Sequence, residues 1–390
     1  MSRIVVFLPR FLRVPAEHCF LFGPRGTGKS VWTAQAFPQA LRVDLLDGDV
    51  FRMLSGRPER LRELIGGQPR ASQVIIDEVQ KAPALLDTVH KLIEQKPGVQ
   101  FVLTGSSARK LKRSGVDLLG GRALNLTLHP FMAAELGDAF DLDRALQYGT
   151  LPLVLAAPRP AEALKAYVAL YLREEVQSEG LTRNIGGFAR FMDVFSFSHA
   201  SVLNISNVAR ECEIQRKTVE GYVSILEDLL LAYRVPVFSR RAVRSTAAHP
   251  KSYLFDCGVF RALRPAGPLD RAAEIEGAAL EGLIVEHVRT WNACRDGSNQ
   301  LYYWRTRSGV EVDLVLYGRD GLWAIEVKNS LRVDSDDVRS LRSFRQDYPE
   351  SQCLLVYRGE RRLEIGGILC VPCHEFLRQL HPARDTLFQP

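Results

Sequence analysis

An unbroken octapeptide near the N-terminus constrains this chain more than any other stretch. It fits the pattern G-x-x-x-x-G-K-[ST] and consists of Gly23, Pro24, Arg25, Gly26, Thr27, Gly28, Lys29 and Ser30. The glycines let the backbone curl so that successive N–H groups point at phosphate oxygens. Lys29 supplies an ammonium to the same phosphates, and the Ser30 hydroxyl is a ligand for Mg²⁺. The motif therefore predicts a nucleotide site, with ATP and Mg²⁺ as the expected cofactors.

The residues around the octapeptide support this interpretation. A short apolar stretch, 19–22, precedes it and predicts a strand, and 30–37 predicts a helix. A helix in that position directs its N-terminus at the bound anion.

A second apolar stretch, 74–79, ends in two carboxylates, Asp77 and Glu78. Such β-branched runs are typical of parallel strands with both faces buried, and ligands bind beyond the carboxyl ends of these strands. We expect Asp77 to hold Mg²⁺, directly or through water, and Glu78 to polarise the attacking water. Asp77 alone is also compatible with a helix N-cap.

Small polar residues end a third apolar stretch, 100–107. Thr104 and Ser106 are candidates to touch the γ-phosphate or its water, and loop capping is an equal alternative for each. Further on, Arg122 follows two glycines in a segment rich in Lys and Arg. It is a candidate to reach a γ-phosphate in the same or a neighbouring subunit, or to cap the turn.

Length and composition indicate an ordinary soluble protein. The 390 residues are enough for two or three domains, with 46% apolar and 25% charged residues. No apolar run approaches the roughly 18 residues that cross a bilayer, so no membrane partner is expected. Seven cysteines without framework spacing indicate a reducing cytoplasm.

The net charge of +6 is unevenly distributed. The stretch from Leu229 to Phe255 lacks Asp and Glu, and its basic residues are Arg234, Arg240, Arg241, Arg244 and Lys251. Such a run is either a solvated loop or a track for a phosphate backbone, which makes DNA a candidate partner.

Alternating strands and helices over 16–130 predict a parallel sheet covered by helices on both faces. The predicted strands are 18–22, 41–46, 73–77 and 100–105, and the predicted helices are 29–37 and 83–95. Residues 128–190 are expected to be mainly helical.

A different order follows between 188 and 238. A short helix at 205–212, a turn, a helix at 217–227 and a β-type run at 229–238 predict a winged helix-turn-helix. The exposed side of the second helix would carry Arg216, Lys217, Glu220 and Ser224. DNA contact and protein packing are equal alternatives for that side.

Charged residues alternate with apolar ones in two C-terminal strands, 309–316 and 322–328. Alternation predicts that Val310, Val312, Leu314 and Leu316 share one face, with Asp313 on the other. If the strands pair, Asp313, Glu326 and Lys328 converge, either to hold a divalent metal or to form a cross-strand salt bridge.

The order of these motifs resembles AAA-like ATPases of bacteria and archaea that carry a C-terminal domain of unknown function. The segments that carry the resemblance are 23–30, 76–80, 218–222, 309–313 and 325–328. The resemblance implies that Thr104 or Ser106 occupies the sensor position of this family.

The C-terminal region is similar to the restriction-endonuclease-like superfamily. Asp313 matches the first acid of its pattern, and Glu326 and Lys328 match its Glu-x-Lys. Glu281 on the preceding helix corresponds to the usual extra acid, and Val312 stands where the pattern has proline. The resemblance implies a metal site at Asp313, Glu326 and Glu281.

Together these observations predict an α/β protein: a P-loop NTPase parallel sheet with helices on both faces, a winged helix-turn-helix and an α/β restriction-endonuclease-like domain. The expected domains are an AAA-like core (1–130), a helical lid or linker (131–190), a winged helix (191–250) and a nuclease-like domain (251–390).

The main functional hypothesis is a cytoplasmic, Mg²⁺-dependent AAA-type ATPase that acts on DNA. Its expected partners are ATP, DNA and further copies of the chain. Two alternatives stay open: a nucleotide-dependent switch or scaffold without nuclease activity, and an ATP-gated DNA endonuclease. The sequence displays no certain arginine finger in cis, so we expect slow turnover that a partner or oligomerisation accelerates.

Overall fold

The computed structural model describes residues 8–68, 70, 72–95, 98–109, 111, 119–171, 185–239 and 249–389. The chain divides into two compact units. The first unit contains Arg3–His129 and Asp228–Leu231, and the second contains Pro130–Glu227 and Ala232–Pro390.

The first unit is built from parallel strands with helices between them. Its strands are β1 His18–Phe22, β2 Leu41–Asp44, β3 Gln73–Asp77, β4 Gln100–Gly105 and β5 Ala123–Thr127. Its helices are α1 Lys29–Ala36, α2 Gly48–Gly56, α3 Arg60–Gly66 and α4 Leu85–Gln95, with 3₁₀ turns at Val79–Lys81 and Leu119–Gly121.

The five strands form one parallel sheet in the order β2-β3-β4-β1-β5. Side chains of β1 alternate between two apolar clusters: Phe20 and Phe22 pack in one, and Cys19 and Leu21 in the other. Both faces of the sheet are therefore buried, which is why its strands are continuously apolar. The prediction of a parallel α/β sheet of P-loop type is confirmed.

The second unit contains the remaining elements. Its helices are α5 Ala133–Leu136, α6 Leu142–Tyr148, α7 Pro152–Leu155, α8 Pro160–Ala166, α9 Ile185–Ser196, α10 Ile205–Glu211, α11 Arg216–Asp228, α12 Cys257–Leu263, α13 Ala272–Arg295, α14 Arg339–Asp347 and α15 Cys373–Gln379. A 3₁₀ turn covers Gly137–Ala139 and a π turn Tyr167–Tyr171. Its strands are β6 Ser201–Val202, β7 Ala232–Val235, β8 Lys251–Leu254, β9 Asn299–Arg305, β10 Glu311–Gly318, β11 Gly321–Lys328, β12 Gln352–Tyr357, β13 Leu363–Ile365 and β14 Ile368–Pro372.

A six-stranded mixed sheet, in the order β13-β14-β12-β11-β10-β9, forms the larger part of this unit. Strands β9, β10 and β11 are antiparallel, and β11, β12 and β14 are parallel. Helix α14 packs against β10, β11 and β12, and α13 packs against β11. These elements position the C-terminal carboxylates.

Strand β6 precedes helices α10 and α11, and strands β7 and β8 follow them; the three strands form a small antiparallel sheet in the order β6-β8-β7. Glu213, in the turn between the two helices, has a left-handed φ of 57°. Helix, turn, helix and two antiparallel strands occur in the predicted order, and their assignment as a winged helix stays a prediction. Of the helices that the structure describes, none has both the length and the apolar sequence needed to cross a bilayer.

Candidate functional site

The octapeptide forms the loop between β1 and α1, and its glycines occupy positions that a side chain would disturb. Gly26 and Gly28 have left-handed φ values of 85° and 90°. A Cβ at Gly23 would lie 2.5 Å from the carbonyl oxygen of Leu128, which follows β5. The loop therefore depends on glycine for backbone angles at two positions and for space at the third.

Hydrogen bonds hold the middle of this loop. The hydroxyl of Thr27 is buried and donates to the Pro24 carbonyl over 2.9 Å. Arg10 donates to the Thr27 carbonyl over 3.1 Å. Arg25, by contrast, is exposed. These hydrogen bonds brace the loop from within the protein.

Lys29 is turned into the loop. Its side chain is 8% exposed, and Nζ donates to the carbonyl oxygens of Gly23 and Pro24 over 2.7 and 3.3 Å. Carbonyl oxygens and phosphate oxygens are both acceptors for an ammonium. A phosphate entering the loop would therefore compete with these two carbonyls for Lys29.

The structure brings together the ends of two sequence motifs at Ser30 and Asp77. Ser30 Oγ donates to Asp77 Oδ2 over 3.0 Å. The other oxygen, Asp77 Oδ1, accepts from the hydroxyl of Thr104 on β4. Two oxygen ligands held this close fit the hard, oxygen-preferring Mg²⁺ ion. Thr104 thus orients the carboxylate of Asp77.

Glu78 has a strained backbone. Its φ of 59° and ψ of 44° are left-handed, a conformation that costs a non-glycine residue about 1–2 kcal/mol. Strain of this kind concentrates at functional sites. Its carboxylate accepts from Gln80 Nε2 over 2.5 Å, and the same nitrogen lies 3.4 Å from Ser106 Oγ.

Gln80 lies in the motif segment 76–80, but the sequence alone does not predict a role for it. It is 8% exposed, and its Oε1 is buried without a hydrogen-bond partner in the described structure. A Cβ at Gly105 would lie 2.4 Å from that oxygen. Glycine at 105 therefore leaves room for the Gln80 amide to reach Glu78 and Ser106.

Arg122 lies far from this loop within its own chain. It precedes β5, whose first residue, Ala123, pairs with His18 at the start of β1, whereas the loop follows the end of β1. Arg122 forms an ion pair with Glu94 over 3.2 Å. The expectation that Arg122 reaches the γ-phosphate of its own subunit is not met. Contact with a neighbouring subunit stays a prediction.

The basic run of 229–255 is not a continuous exposed track. Arg234 forms an ion pair with Glu227, and Lys251 is buried. The remaining members, Arg240, Arg241 and Arg244, lie outside the described residues. On α11, Arg216 is paired with Glu220 over 2.9 Å. Lys251 is therefore not accessible to a phosphate backbone, so the alternative of a phosphate track is wrong for this residue. For the other basic residues of the run, contact with DNA stays a prediction.

In the second unit, Asp313 and Glu326 lie on neighbouring strands. Leu314 pairs with Ile325, so continuing the antiparallel register by one residue sets Asp313 opposite Glu326. Asp313 Oδ2 accepts from the backbone N–H of Val327 over 2.9 Å. The two strands are therefore paired so that the Asp313 and Glu326 positions are neighbours, as expected.

Glu326 is bound by protein groups on both of its oxygens. Oε1 accepts from Lys328 Nζ over 2.9 Å, and Oε2 accepts from Ser340 Oγ on α14 over 3.0 Å. Lys328 and Glu326 thus form an ion pair within β11, and Asp313 is joined to the same strand through the Val327 N–H.

Lys251, a member of the basic run 229–255, completes this cluster. Lys251 Nζ lies 2.9 Å from Glu281, 2.6 Å from Glu311 and 3.3 Å from Asp313. Glu281 therefore approaches from α13 as expected, but toward an ammonium. Among the residues that the structure describes, no group of three or more His, Cys, Asp or Glu side chains is arranged to hold a metal ion.

A β-bulge in β10 reverses the predicted alternation of its side chains. Val312 pairs with Trp304 and Val315 with Tyr302, so two residues of β10 oppose one of β9. Val312 and Val315 consequently pack in the same apolar cluster. The prediction that Leu314 and Leu316 share the face of Val312 was wrong. Bulges occur where a strand redirects a side chain, here beside Asp313.

Burial dominates the proton affinity of these carboxyls. It raises the pKa of Glu326 to about 8, with the neighbouring Asp313 adding to the effect and Lys328 opposing it. Burial, followed by Asp313, also raises the pKa of Glu281 to about 7. Burial alone would lower the pKa of Lys251, but the surrounding groups, Glu281 foremost, raise it well above its ordinary value.

We expect Glu326→Gln to reduce the loss of stability that the protein undergoes between pH 5 and 8.5. Glu326 keeps its proton up to about pH 8 when folded, whereas the unfolded chain releases it near 4.5. Between these values the folded state binds more protons, so the free energy of unfolding falls as pH rises. Glutamine stays neutral, and the Ser340 hydroxyl can turn to accept from its amide.

Between pH 5 and pH 8.5, the free energy of unfolding should fall less in Glu326→Gln than in the wild type, by on the order of 3 kcal/mol. Urea unfolding of the full chain at pH 5 and 8.5 measures it, with Glu364→Gln on the exposed part of β13 as the control. Parallel losses in the wild type and Glu326→Gln would contradict the expectation.

Three family models match consecutive parts of this chain. Residues 16–137 match an AAA domain, residues 139–270 match a domain of unknown function (DUF8612), and residues 276–376 match a domain of unknown function (DUF4143). The prediction of an AAA-like ATP-binding domain followed by a region of unknown function is confirmed at this level.

Two curated relatives have no assigned function. They are the uncharacterized protein Mb2031c of Mycobacterium bovis and the uncharacterized protein Rv2008c of Mycobacterium tuberculosis. Each is 24% identical over 313 residues, which covers 78% of this chain and 69% of the relative. The similarity therefore extends well beyond the AAA domain.

Proposed function

We propose that the first unit binds ATP with Mg²⁺ at the loop 23–30 and hydrolyses it. The observation that carries this proposal is the 3.0 Å hydrogen bond between Ser30 and Asp77. These residues are distant in sequence, and their oxygens meet beside the phosphate loop. Nucleotide hydrolases with such a loop hold their metal ion with this pair of residue types.

Binding would begin with an exchange of partners at Lys29. Its ammonium bonds the carbonyls of Gly23 and Pro24, and a β- or γ-phosphate offers charged oxygens instead. Charge-assisted hydrogen bonds are stronger than those to neutral carbonyls. The N-terminus of α1, which follows Gly28, adds backbone N–H groups to the same anion.

Ser30 and Asp77 are the residues that would hold Mg²⁺, which when bound neutralises charge on the phosphates. Thr104 keeps the Asp77 carboxylate directed at Ser30 through its own hydrogen bond. Loss of this brace would let the carboxylate rotate. Thr104 therefore acts as a positioning residue.

Glu78 is the proposed base for the attacking water. It directly follows Asp77 at the end of β3, and Gln80 donates a hydrogen bond to its carboxylate. Gln80 also contacts Ser106 beyond β4, where a γ-phosphate sensor is expected. We infer that Gln80 fixes the position of the Glu78 carboxylate relative to Ser106.

Arg122 stands too far from the loop of its own chain to serve as its arginine finger. It precedes β5, at the opposite end of the sheet from the loop. Slow turnover by single copies, accelerated on assembly, is therefore part of the proposal, with Arg122 of a second copy as one candidate finger. The alternative of a nucleotide switch differs in requiring binding without sustained turnover.

DNA binding has weaker support. On α11 Lys217 is exposed, but Arg216 is neutralised by Glu220. Removing Arg240 and Arg241 together remains the direct test, since phosphate contacts there would flatten the salt dependence of DNA affinity by roughly two units.

The experiment that tests the proposed function is ATP turnover by the full chain with Mg²⁺ and with EDTA. We expect EDTA to abolish turnover and Ser30→Ala to lower it at least about tenfold, because the variant loses one of two metal ligands. Raising the Mg²⁺ concentration should restore part of this loss.

Ser55→Ala, at an exposed position in α2, is the matched control and should turn over normally. The proposal would be refuted by turnover that persists in EDTA, or by Ser30→Ala with wild-type rates at every Mg²⁺ concentration.

A further inference from the structure

We propose that the ammonium of Lys251 serves as the cation of the carboxylate cluster in the second unit, in the place that the resemblance to restriction-endonuclease-like proteins gives to a divalent metal ion. The inference is independent of the ATPase proposal, since it concerns residues of the second unit alone. It predicts that the cluster is closed to divalent ions in the native protein.

The position of Lys251 Nζ carries the proposal. It lies within 3.3 Å of three carboxylates, those of Glu281, Glu311 and Asp313, which come from α13 and β10. The side chain is 2% exposed, and Nζ also lies 5.6 Å from the centre of the Tyr303 ring. A divalent ion bound to the same three carboxylates would need the space that Nζ occupies.

The backbone of Lys251 is held on both sides. Lys251 begins β8, the central strand of the three-stranded sheet. It pairs with Val202 of β6 on one side and Val235 of β7 on the other. Pairing with both neighbouring strands fixes the position of the Lys251 backbone, from which its side chain extends to the carboxylates. Displacing its ammonium would leave a buried cation without partners, which is costly.

The remaining oxygens of the predicted metal ligands are also engaged. Asp313 Oδ2 accepts from Val327 N–H, and Glu326 accepts from Lys328 and Ser340 on its two oxygens. Every oxygen of the Asp313 and Glu326 pair therefore has a protein donor. A metal ion would have to replace these donors rather than fill unused ligand positions.

Charge balance agrees with this arrangement. The four carboxylates of the cluster belong to Glu281, Glu311, Asp313 and Glu326, and their cationic partners are Lys251, Lys328 and Arg305. With every one of these groups ionised, the formal charge of the set is −1 without a metal. A divalent ion added within a few ångströms of the Lys251 ammonium would be repelled by it. The donor set present therefore does not fit the metal that the resemblance implies.

The decisive comparison uses Mn²⁺ alone as the probe, with nucleotide-free full-length protein and electron paramagnetic resonance to count bound ions. If Lys251 is the cation, the wild type and Asp313→Asn should bind the same number of Mn²⁺ ions with the same affinity. An ion bound by the wild type and lost in Asp313→Asn would overturn the proposal. This comparison requires no change at Lys251.

A second comparison removes the ammonium. Lys251→Met keeps an unbranched side chain of similar length but leaves three facing carboxylates without their cation. We expect this variant to bind one more Mn²⁺ ion per chain than the wild type, with an affinity for that site at least about tenfold higher. The double variant that also carries Asp313→Asn should not bind this additional ion. The thermal midpoint of Lys251→Met should rise with Mn²⁺, whereas that of the wild type should not.

Lys217→Met, at an exposed position on α11, is the matched control and should gain no ion. A folded Lys251→Met that binds no additional Mn²⁺ would contradict the proposal. If Lys251→Met does not fold without metal, the comparison of the wild type with Asp313→Asn still decides the question.

Discussion

Lys29→Ala is expected to weaken ATP binding at least about 100-fold, which corresponds to about 2.7 kcal/mol. Lys29 is the cation held inside the loop, bonded to the Gly23 and Pro24 carbonyls, whereas Arg25 faces solvent. Removing it deletes the charge that a phosphate would meet at closest range. Calorimetric titration of the full chain with ATP and Mg²⁺ measures the loss.

Structure must be checked in the same variant, because Lys29 also links both ends of the loop. Circular dichroism and the urea midpoint should change little, since the buried side chain of Thr27 still bonds to Pro24 and the loop glycines are unchanged. Lys91→Ala, at an exposed position in α4, is the control and should bind ATP normally. Wild-type affinity in a folded Lys29→Ala would refute the assigned site.

The central strands of the first unit could be predicted because burial on both faces leaves a strong signal. β1, β3 and β4 are short, continuous apolar runs, and their predicted bounds agree with the structure to within a residue or two. Edge strand β5 lacks this signal, since Leu124 and Asn125 are exposed. Helices α2 and α3 were not predicted, because they are only 9 and 7 residues long and are separated by the helix-breaking Gly56 and Pro58.

The bulge in β10 shows what sequence periodicity cannot provide. A bulge inserts one residue without altering the alternating pattern, so Asp313 appears on a regular strand in the sequence. Val312 and Val315, three residues apart, pair with Trp304 and Tyr302, which are two residues apart, and this shift is set by tertiary contacts. The face on which Leu314 lies could therefore not be derived from the sequence alone.

The sequence suggested a wrong role for Lys251 because the charges next to it in the sequence differ from the charges next to it in the fold. The stretch around it contains basic residues and lacks Asp and Glu, which suggested a phosphate track. Its spatial neighbours, Glu281 and Glu311, belong to α13 and β10. A buried lysine among carboxylates can be recognised only when these elements are brought together.

Gln80 was overlooked for a different reason. Its distance in sequence from Glu78 is short, but its contact depends on the left-handed backbone of Glu78 and on the missing side chain at Gly105. Neither the backbone angle nor the approach of β4 is evident from the motif. The residue types were visible in the sequence, and only the geometry gives Gln80 its role.

Glu78→Gln should lower ATP turnover at least about 100-fold while leaving ATP affinity within about threefold of the wild type, because the amide cannot accept the proton of the attacking water. The fold should persist, since glutamine tolerates the left-handed backbone about as well as glutamate and its amide oxygen still accepts from Gln80.

Gln80→Ala keeps the carboxylate but removes its donor, so we expect kcat to fall about tenfold with KM unchanged. Rapid-quench turnover and equilibrium binding separate these effects. Normal turnover in Glu78→Gln would exclude Glu78 as the base, and a loss in Gln80→Ala confined to KM would assign Gln80 to nucleotide binding instead.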